Sequence, residues 1–190
     1  MNANGAPSIV VALDRLILVL MLAVLAAILT AAMVVQYTLG EIPCPLCLLQ
    51  RVAMFGCCFG LIMQLRSDNS ERGTGVALIF AVLLLVISVR QTLLDLFPRP
   101  GHEYIGSAVL GIHLPVWSVI VAMALLFGFA IRLGLFGGAR NDVAAERGPL
   151  HSITHLLWIY VIATCAINFL SVIAQCGLDQ CHTLGYRLFQ

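Results

Sequence analysis

Five runs of apolar residues, separated by short polar segments, dominate the pattern along the 190-residue chain. A membrane-spanning helix needs roughly 20 predominantly apolar residues to cross the hydrocarbon layer. The runs have about that length, and they predict membrane spans at 16–37, 46–65, 76–97, 109–131 and 153–174. Because open sheets cannot satisfy their backbone hydrogen bonds in lipid, we expect every span to be a helix.

The pattern therefore predicts an all-α fold, a polytopic membrane bundle of about five transmembrane helices. We expect residues 1–190 to form a single membrane domain that ends in a polar tail at 175–190. The first apolar run is longer than the core of a signal peptide, which has about 7–15 residues. We therefore expect this run to stay in the mature protein.

Composition supports the membrane assignment. Hydrophobic residues make up 61% of the chain and charged residues only 10%, against roughly 25% charged in a soluble domain. Such a short chain cannot hide that much apolar surface in a water-soluble core, so the excess must face lipid. The net charge of +1 gives no indication of a nucleic-acid partner.

The arginines predict the orientation, because basic residues favour the cytoplasmic side of a membrane. With the N-terminus in the cytoplasm, the cytoplasmic segments carry most of them, namely Arg15, Arg66, Arg72, Arg132, Arg140 and Arg147. The outer segments then carry only Arg99 and Arg187. This assignment predicts a multi-pass membrane protein with a cytoplasmic N-terminus and a C-terminus on the outer face.

Four of the seven cysteines form two spaced pairs at the ends of apolar runs. Cys44 and Cys47 precede the second span, and Cys176 and Cys181 follow the fifth. The orientation predicted from the arginines places both pairs on the outer face, where disulfides persist. The other three cysteines, Cys57, Cys58 and Cys165, lie within the spans and read as small packing residues.

The segment Cys44-Pro45-Leu46-Cys47 is typical of a redox-active pair. Pro45 suits the first turn of a helix, which places Cys47 in the first turn of the second span. Unpaired backbone N–H groups at a helix N-terminus stabilise a thiolate and lower the pKa of a thiol there. A C-x-x-C segment alone also fits half of a zinc site or two inert thiols.

Two arginines lie inside the predicted spans. Arg51 follows Cys47 by one helical turn on the same face, and Arg90 is expected at a similar depth in the third span. A charge inside the bilayer costs about 2.5–3.5 kcal/mol on insertion scales, which makes it a functional candidate. We expect Arg51 to hydrogen-bond a quinone carbonyl, with Arg90 nearby. The alternative is that both side chains reach out to the lipid headgroups.

The second pair, Cys176 and Cys181, is spaced to close a short disulfide loop in the tail. A polar tail of this kind can meet both a soluble partner and Cys44. A static staple of the tail is the main alternative, and a zinc site formed with His182 and His102 is a weaker one.

The residues from Cys44 to Cys47, followed by Arg51, resemble the start of the second span in the disulfide bond formation protein B (DsbB) family. The resemblance continues at the end of the third span, from Gln91 to Pro100. It implies a four-helix DsbB-like core and a quinone-coupled thiol oxidase of the bacterial inner (cytoplasmic) membrane, with the outer face and the C-terminus in the periplasm. Members of the family often carry a histidine where Gln91 stands, which implies a place for Gln91 beside the quinone.

The resemblance also implies roles for the cysteines. Cys47 would be the quinone-proximal thiolate, and Cys44 would exchange disulfides with the second pair, which oxidises a soluble DsbA-like carrier. The best-known members carry that pair between spans three and four, whereas here it lies in the C-terminal tail. We favour Cys176 as the sulfur that meets the client.

The sequence thus predicts a quinone-dependent protein-disulfide oxidoreductase that reoxidises a periplasmic dithiol carrier and passes electrons to ubiquinone or menaquinone in the membrane. One alternative is a vitamin K epoxide reductase-like quinone reductase, in which the direction is reversed. Another is a membrane subunit that binds metal or haem, which would need histidines at matching depth, whereas His113 and His155 are expected near opposite faces of the membrane. His113 is also open to a role at the quinone.

Overall fold

The computed structural model describes residues 8–38, 40, 43–66, 71–97, 108–136 and 149–176. Five helices follow one another in these residues: α1 is Ser8–Thr38, α2 is Pro45–Arg66, α3 is Arg72–Leu96, α4 is Leu114–Phe136 and α5 is Pro149–Cys176. All five are long and apolar enough to cross a membrane. The predicted all-α polytopic bundle is therefore confirmed.

A two-residue hairpin precedes α4. Strand β1 (Ala108–Val109) pairs antiparallel with β2 (Ile112–His113) through a turn at Leu110 and Gly111. Both turn residues have positive φ, 55° at Leu110 and 77° at Gly111. Positive φ at both central residues is the geometry of a type I′ turn, which matches the twist of the paired strands.

The helix bounds differ most from the predicted spans in α1 and α4. The fourth span was expected at 109–131, but α4 is Leu114–Phe136, because the hairpin occupies the residues before it. The first span was expected to begin at 16, but α1 begins at Ser8. The longer helix includes the charged residue Asp14. Its carboxylate is accommodated there because it is buried against Arg132 of α4.

Helices α2 and α3 form the most extensive helix pair in the bundle. Their close approach depends on glycines, since a Cβ placed on Gly60 would lie 2.5 Å from the backbone nitrogen of Ala77. A Cβ placed on Gly73 of α3 would likewise lie 2.3 Å from the backbone nitrogen of Gln64 in α2. These contacts fix how α3 lies along α2 and, therefore, which α3 side chains reach the start of α2.

The buried core lies among α1 to α4, in agreement with the expected four-helix core. It contains Leu22, Leu25, Leu61, Leu84 and Phe129. Helix α5 packs against α1 and α2 and adds Val161 to the core. Large apolar side chains cover the outside of the bundle, among them Leu20, Phe59, Ile79, Phe127 and Phe169. An apolar exterior of this kind is what contact with lipid requires.

An ion cluster in which Asp14 and Arg132 are buried and Glu71 is exposed joins three helices at one end of the bundle. The Nε of Arg132 in α4 lies 2.7 Å from a carboxylate oxygen of Asp14 in α1, and its Nη1 lies 2.8 Å from Glu71, next to α3. Arg132 also donates to the Thr74 hydroxyl at 2.6 Å. Burial raises the pKa of Glu71, but hydrogen bonds from Arg132 and Thr74 outweigh it and leave that pKa below its usual value.

Polar contacts connect α1 with α5 along the bundle. The hydroxyls of Thr30 and Tyr160 share a hydrogen bond, and those of Tyr37 and Ser171 share another. A polar face on α5 packed against α1 is unusual for a helix that otherwise presents apolar residues to lipid. These contacts hold α5 against the end of the bundle where α2 begins.

Candidate functional site

Cys44 and Cys47 form a disulfide at the N-terminus of α2, with their Cα atoms 5.1 Å apart. Helix α2 begins at Pro45, so the predicted placement of Pro45 in the first turn is confirmed. Cys44 takes the position of a helix cap. Its carbonyl accepts from the Leu48 amide at 3.0 Å, and its sulfur accepts from the Cys47 amide at 3.1 Å. A helix N-terminus thus supports the Cys44 sulfur directly.

Gln91 of α3 contacts both sulfurs. Its side-chain nitrogen lies 3.3 Å from the sulfur of Cys47 and 3.5 Å from that of Cys44. The residue is only 8% exposed, and its side-chain oxygen is buried without a hydrogen-bond partner among the described residues. An N–H group binds an anionic sulfur more strongly than a neutral one, so this contact favours the thiolate that forms when the disulfide opens.

Arg51 lies one turn deeper in α2 and is 8% exposed. Its Nη1 donates to the side-chain oxygens of Gln36 at 2.6 Å and Asn168 at 3.1 Å, and its Nη2 donates to the Ala32 carbonyl at 3.1 Å. Helices α1 and α5 therefore hold the guanidinium from two sides. A buried cation is costly unless its donors are bonded, and these neutral oxygens satisfy that need without cancelling the positive charge.

A layer of neutral polar side chains continues on the other side of α2. Gln50 donates to the Ser88 hydroxyl of α3 at 3.3 Å and accepts from the Ser118 hydroxyl of α4 at the same distance. This contact links α2, α3 and α4 next to the turn that carries Cys47. All five helices thus contribute polar side chains near the cysteine end of the bundle.

Arg90 is not brought to this site in the same way as Gln91. Its side chain is exposed, whereas that of Gln91 is buried against the sulfurs. Successive residues of a helix point about 100° apart, so the two neighbours serve different faces of α3. A quinone contact by Arg90 stays a prediction from the sequence alone.

The second cysteine pair lies mostly outside the described residues. Cys176 is the last residue of α5, and Cys181 lies beyond the described part of the chain, as do His182 and His102. The residue before Cys176 is informative, because the side-chain nitrogen of Gln175 donates to the Pro43 carbonyl at 3.0 Å. The end of α5 therefore lies beside the segment that leads into Cys44.

The other cysteines divide into two kinds. Cys57 and Cys58 are fully buried in the core, as expected for packing residues. Cys165 was expected to pack in the same way, but it is exposed on α5. Among the described residues, no group of three or more His, Cys, Asp or Glu side chains could hold a metal ion.

Several residues of the site were not singled out from the sequence, namely Gln36, Gln50, Asn168 and Gln175. Each of the first three is an uncharged polar residue inside an apolar run. Such residues usually face the interior of a membrane bundle, and this rule was the available signal. The sequence alone could not show which partners they meet.

Comparisons with known proteins point to one family. The sequence model of the family Disulfide bond formation protein DsbB matches residues 14–104, a stretch that contains both Cys44 and Cys47. Disulfide bond formation protein B of Azoarcus sp. (strain BH72) is 29% identical over 149 residues, covering 56% of this chain and 89% of that protein. The protein of the same name from Chromohalobacter salexigens is 32% identical over 101 residues, covering 47% of this chain and 56% of that protein. No solved structure matches the chain.

Five membrane helices around a C-x-x-C disulfide define a polytopic membrane protein with a cysteine pair suited to redox exchange. Over residues 14–104 the chain is similar to the disulfide bond formation protein B family, in agreement with its resemblance at Cys44, Cys47 and Arg51. This similarity supports disulfide oxidoreductase activity.

Proposed function

We propose that this protein is a membrane thiol:quinone oxidoreductase that reoxidises a periplasmic DsbA-like dithiol carrier. The observation that carries the proposal is the Cys44–Cys47 disulfide at the start of α2, with the Gln91 amide directed at both sulfurs. Thiol–disulfide exchange proceeds through a thiolate, and the helix N-terminus and the Gln91 N–H both favour one here.

The reaction balances over three dithiol–disulfide pairs. A reduced carrier passes two electrons and two protons to the Cys176–Cys181 disulfide and becomes a disulfide itself. The reduced tail pair then opens Cys44–Cys47 by attack on Cys44, which leaves the thiolate on Cys47. Cys44 and Cys47 finally close again, and the two electrons and two protons that they lose pass to the membrane acceptor.

The residues around the disulfide fit a quinone as that acceptor. A bound quinone would accept two electrons and two protons. The side-chain oxygen of Gln91 is buried without a donor among the described residues, so it suits a hydroxyl group. Rotation of the same amide would present its N–H group to a carbonyl instead. Gln91 and Arg51 would hold the polar ring, and the positive charge of Arg51 would favour a reduced, more negative ring.

The position of α5 supports exchange between the two cysteine pairs. Gln175 contacts the Pro43 carbonyl, and Cys176 follows Gln175 directly. Helix α5 therefore ends beside the segment that precedes Cys44. We propose that the tail pair receives electrons from the carrier and delivers them to Cys44.

We also propose that the protein lies in the bacterial inner membrane, in the orientation predicted from the arginines. Arg132 and Glu71 form their cluster at the end of the bundle opposite Cys44, where α2 ends at Arg66 and α3 begins at Arg72. Basic residues favour the cytoplasmic side. The cysteine end would then face the periplasm, with the N-terminus in the cytoplasm.

The test uses purified full-length protein with a ubiquinone analogue and a reduced dithiol carrier, and follows quinone absorbance. We expect quinone consumption that stops in Cys47→Ala. Cys165→Ala is the matched control, because Cys165 is a free cysteine outside the site, and it should retain the activity. Quinone consumption that persists in Cys47→Ala would overturn the proposal.

A further inference from the structure

Helix α5 makes two hydrogen bonds to the redox site that lie outside the family match. The match ends at residue 104, before α4 and α5 begin. From α5, Asn168 reaches Arg51 and Gln175 reaches Pro43. Asn168 is 4% exposed and Gln175 is 2% exposed, so both contacts are shielded from competing solvent.

The spacing of these residues shows that one face of α5 makes both contacts. Asn168 and Gln175 are seven residues apart, which is about two turns of a helix. Ser171 lies between them on the same face and bonds the Tyr37 hydroxyl of α1. A helix that only filled space in lipid would present apolar residues here, because a buried polar group without a partner is unfavourable.

Each contact acts on a residue next to the reacting sulfurs. Gln175 fixes the carbonyl of Pro43, which is the backbone group just before Cys44. The Cys44 sulfur must lie over the helix N-terminus to accept from the Cys47 amide, and this depends on the path of the preceding backbone. Asn168 shares the Nη1 of Arg51 with Gln36 and so fixes the direction of the guanidinium.

We propose that α5 is a positioning helix for the redox site, in which Gln175 holds the segment before Cys44 and Asn168 orients Arg51. Neither residue hydrogen-bonds the sulfur of Cys44 or Cys47, and each acts through another residue. The effect of this positioning on turnover rests on the proposed function. The positioning itself does not need quinone or carrier to be present.

The main experiment measures how fast iodoacetamide alkylates each cysteine of the reduced full-length protein between pH 5 and pH 9. This range of about four pH units includes the usual pKa of a thiol. Peptide mapping by mass spectrometry reads Cys44 and Cys47 separately. Gln175→Met keeps the size of the side chain and removes the donor. We expect slower alkylation of Cys44 at neutral pH, about three- to tenfold, and a profile moved to higher pH, since one hydrogen bond of ordinary net strength supplies such a factor.

A rescue variant and a control separate positioning from general damage to the fold. Gln175→His keeps an N–H group at similar reach and should restore the wild-type profile of Cys44. Thr164→Val alters a buried residue of the same helix whose hydroxyl donates to the Tyr160 carbonyl within α5, and it should leave the profile unchanged. An unchanged Cys44 profile in Gln175→Met, or the same change in Thr164→Val, overturns the role of Gln175.

A double-mutant cycle tests Asn168. Arg51→Ala should slow alkylation of Cys47, because a nearby cation favours the thiolate. Asn168→Leu should slow it in the same direction by about threefold, and should add nothing when Arg51 is already alanine. An effect of Asn168→Leu that persists without Arg51, or the lack of any effect with Arg51 present, overturns the role of Asn168. Because no quinone or carrier is present, failure here is distinct from failure of the proposed oxidoreductase activity.

Discussion

The side-chain nitrogen of Gln91 lies 3.3 Å from the sulfur of Cys47. The same nitrogen also reaches the sulfur of Cys44, so one neutral amide serves both atoms of the disulfide. The amide supports the reduced pair through a hydrogen bond rather than through a charge. It therefore stabilises a thiolate without becoming protonated or deprotonated itself.

Loss of this amide should make the disulfide harder to reduce. We predict that Gln91→Leu lowers the reduction potential of the Cys44–Cys47 pair by about 30–60 mV, since a hydrogen bond to a charged group contributes roughly 1.5–3 kcal/mol. Redox titration against dithiothreitol, with thiol labelling and mass spectrometry, measures the potential. Thr92→Val is the control, because the Thr92 hydroxyl donates to the Ser88 carbonyl within its own helix. A potential equal to that of the wild type in Gln91→Leu would contradict this role.

Arg51 should matter more for quinone than for thiol exchange. We predict that Arg51→Ala raises the apparent KM for a quinone analogue by about tenfold, as expected when a charged hydrogen bond to the ring is lost. Reduction of the Cys44–Cys47 disulfide by a dithiol should continue. Steady-state quinone assays, together with a thiol-exchange assay, separate the two steps. An unchanged apparent KM would count against contact between Arg51 and quinone.

The ion cluster of Asp14, Arg132 and Glu71 lies at the end of the bundle opposite Cys44. It should contribute to the stability of the protein rather than to catalysis. We predict that Asp14→Asn destabilises the protein by about 3 kcal/mol, because removal of one partner leaves Arg132 buried without its full set of acceptors. Denaturation in mixed detergent micelles measures the loss. Replacement of both residues, Asp14→Leu with Arg132→Leu, should recover part of it. A double variant less stable than Asp14→Asn would show that the pair does more than satisfy its own charges.

The glycine contacts between α2 and α3 give a matched comparison. Gly60→Ala should destabilise the protein by about 1–3 kcal/mol, because the new Cβ would press on the backbone at Ala77. Gly75→Ala meets nothing within 4 Å and should be neutral or stabilise by about 0.5–1 kcal/mol. The same denaturation assay measures both, and equal effects would show that the helices do not meet as described.

Much of the fold follows from the sequence because its causes are local. Apolar runs of sufficient length predicted five helices, and the proline after Cys44 predicted the start of α2. The spacing of Cys47 and Arg51 along one helix face needed no knowledge of the other helices. The hairpin before α4 was not predicted, because Leu110 and Gly111 give only a weak turn signal.

The contacts between helices could not be predicted in the same way. Neighbouring residues such as Arg90 and Gln91 look equally suited to the site until the rotation of α3 is known. Similarly, the partners of Arg51 come from positions 36 and 168, far apart in the chain. Tertiary packing alone decides such pairs, and the packing depends on close approaches such as that at Gly60.

One measurement tests the central claim most directly, namely that the Cys44–Cys47 pair itself passes electrons to quinone. Full-length protein with Cys176→Ser and Cys181→Ser is reduced without oxygen, mixed rapidly with a quinone analogue, and quenched for thiol counting. The account predicts that one quinone is consumed for each Cys44–Cys47 disulfide formed. Quinone that stays oxidised while both thiols remain reduced, or disulfide formation without loss of quinone, would contradict it.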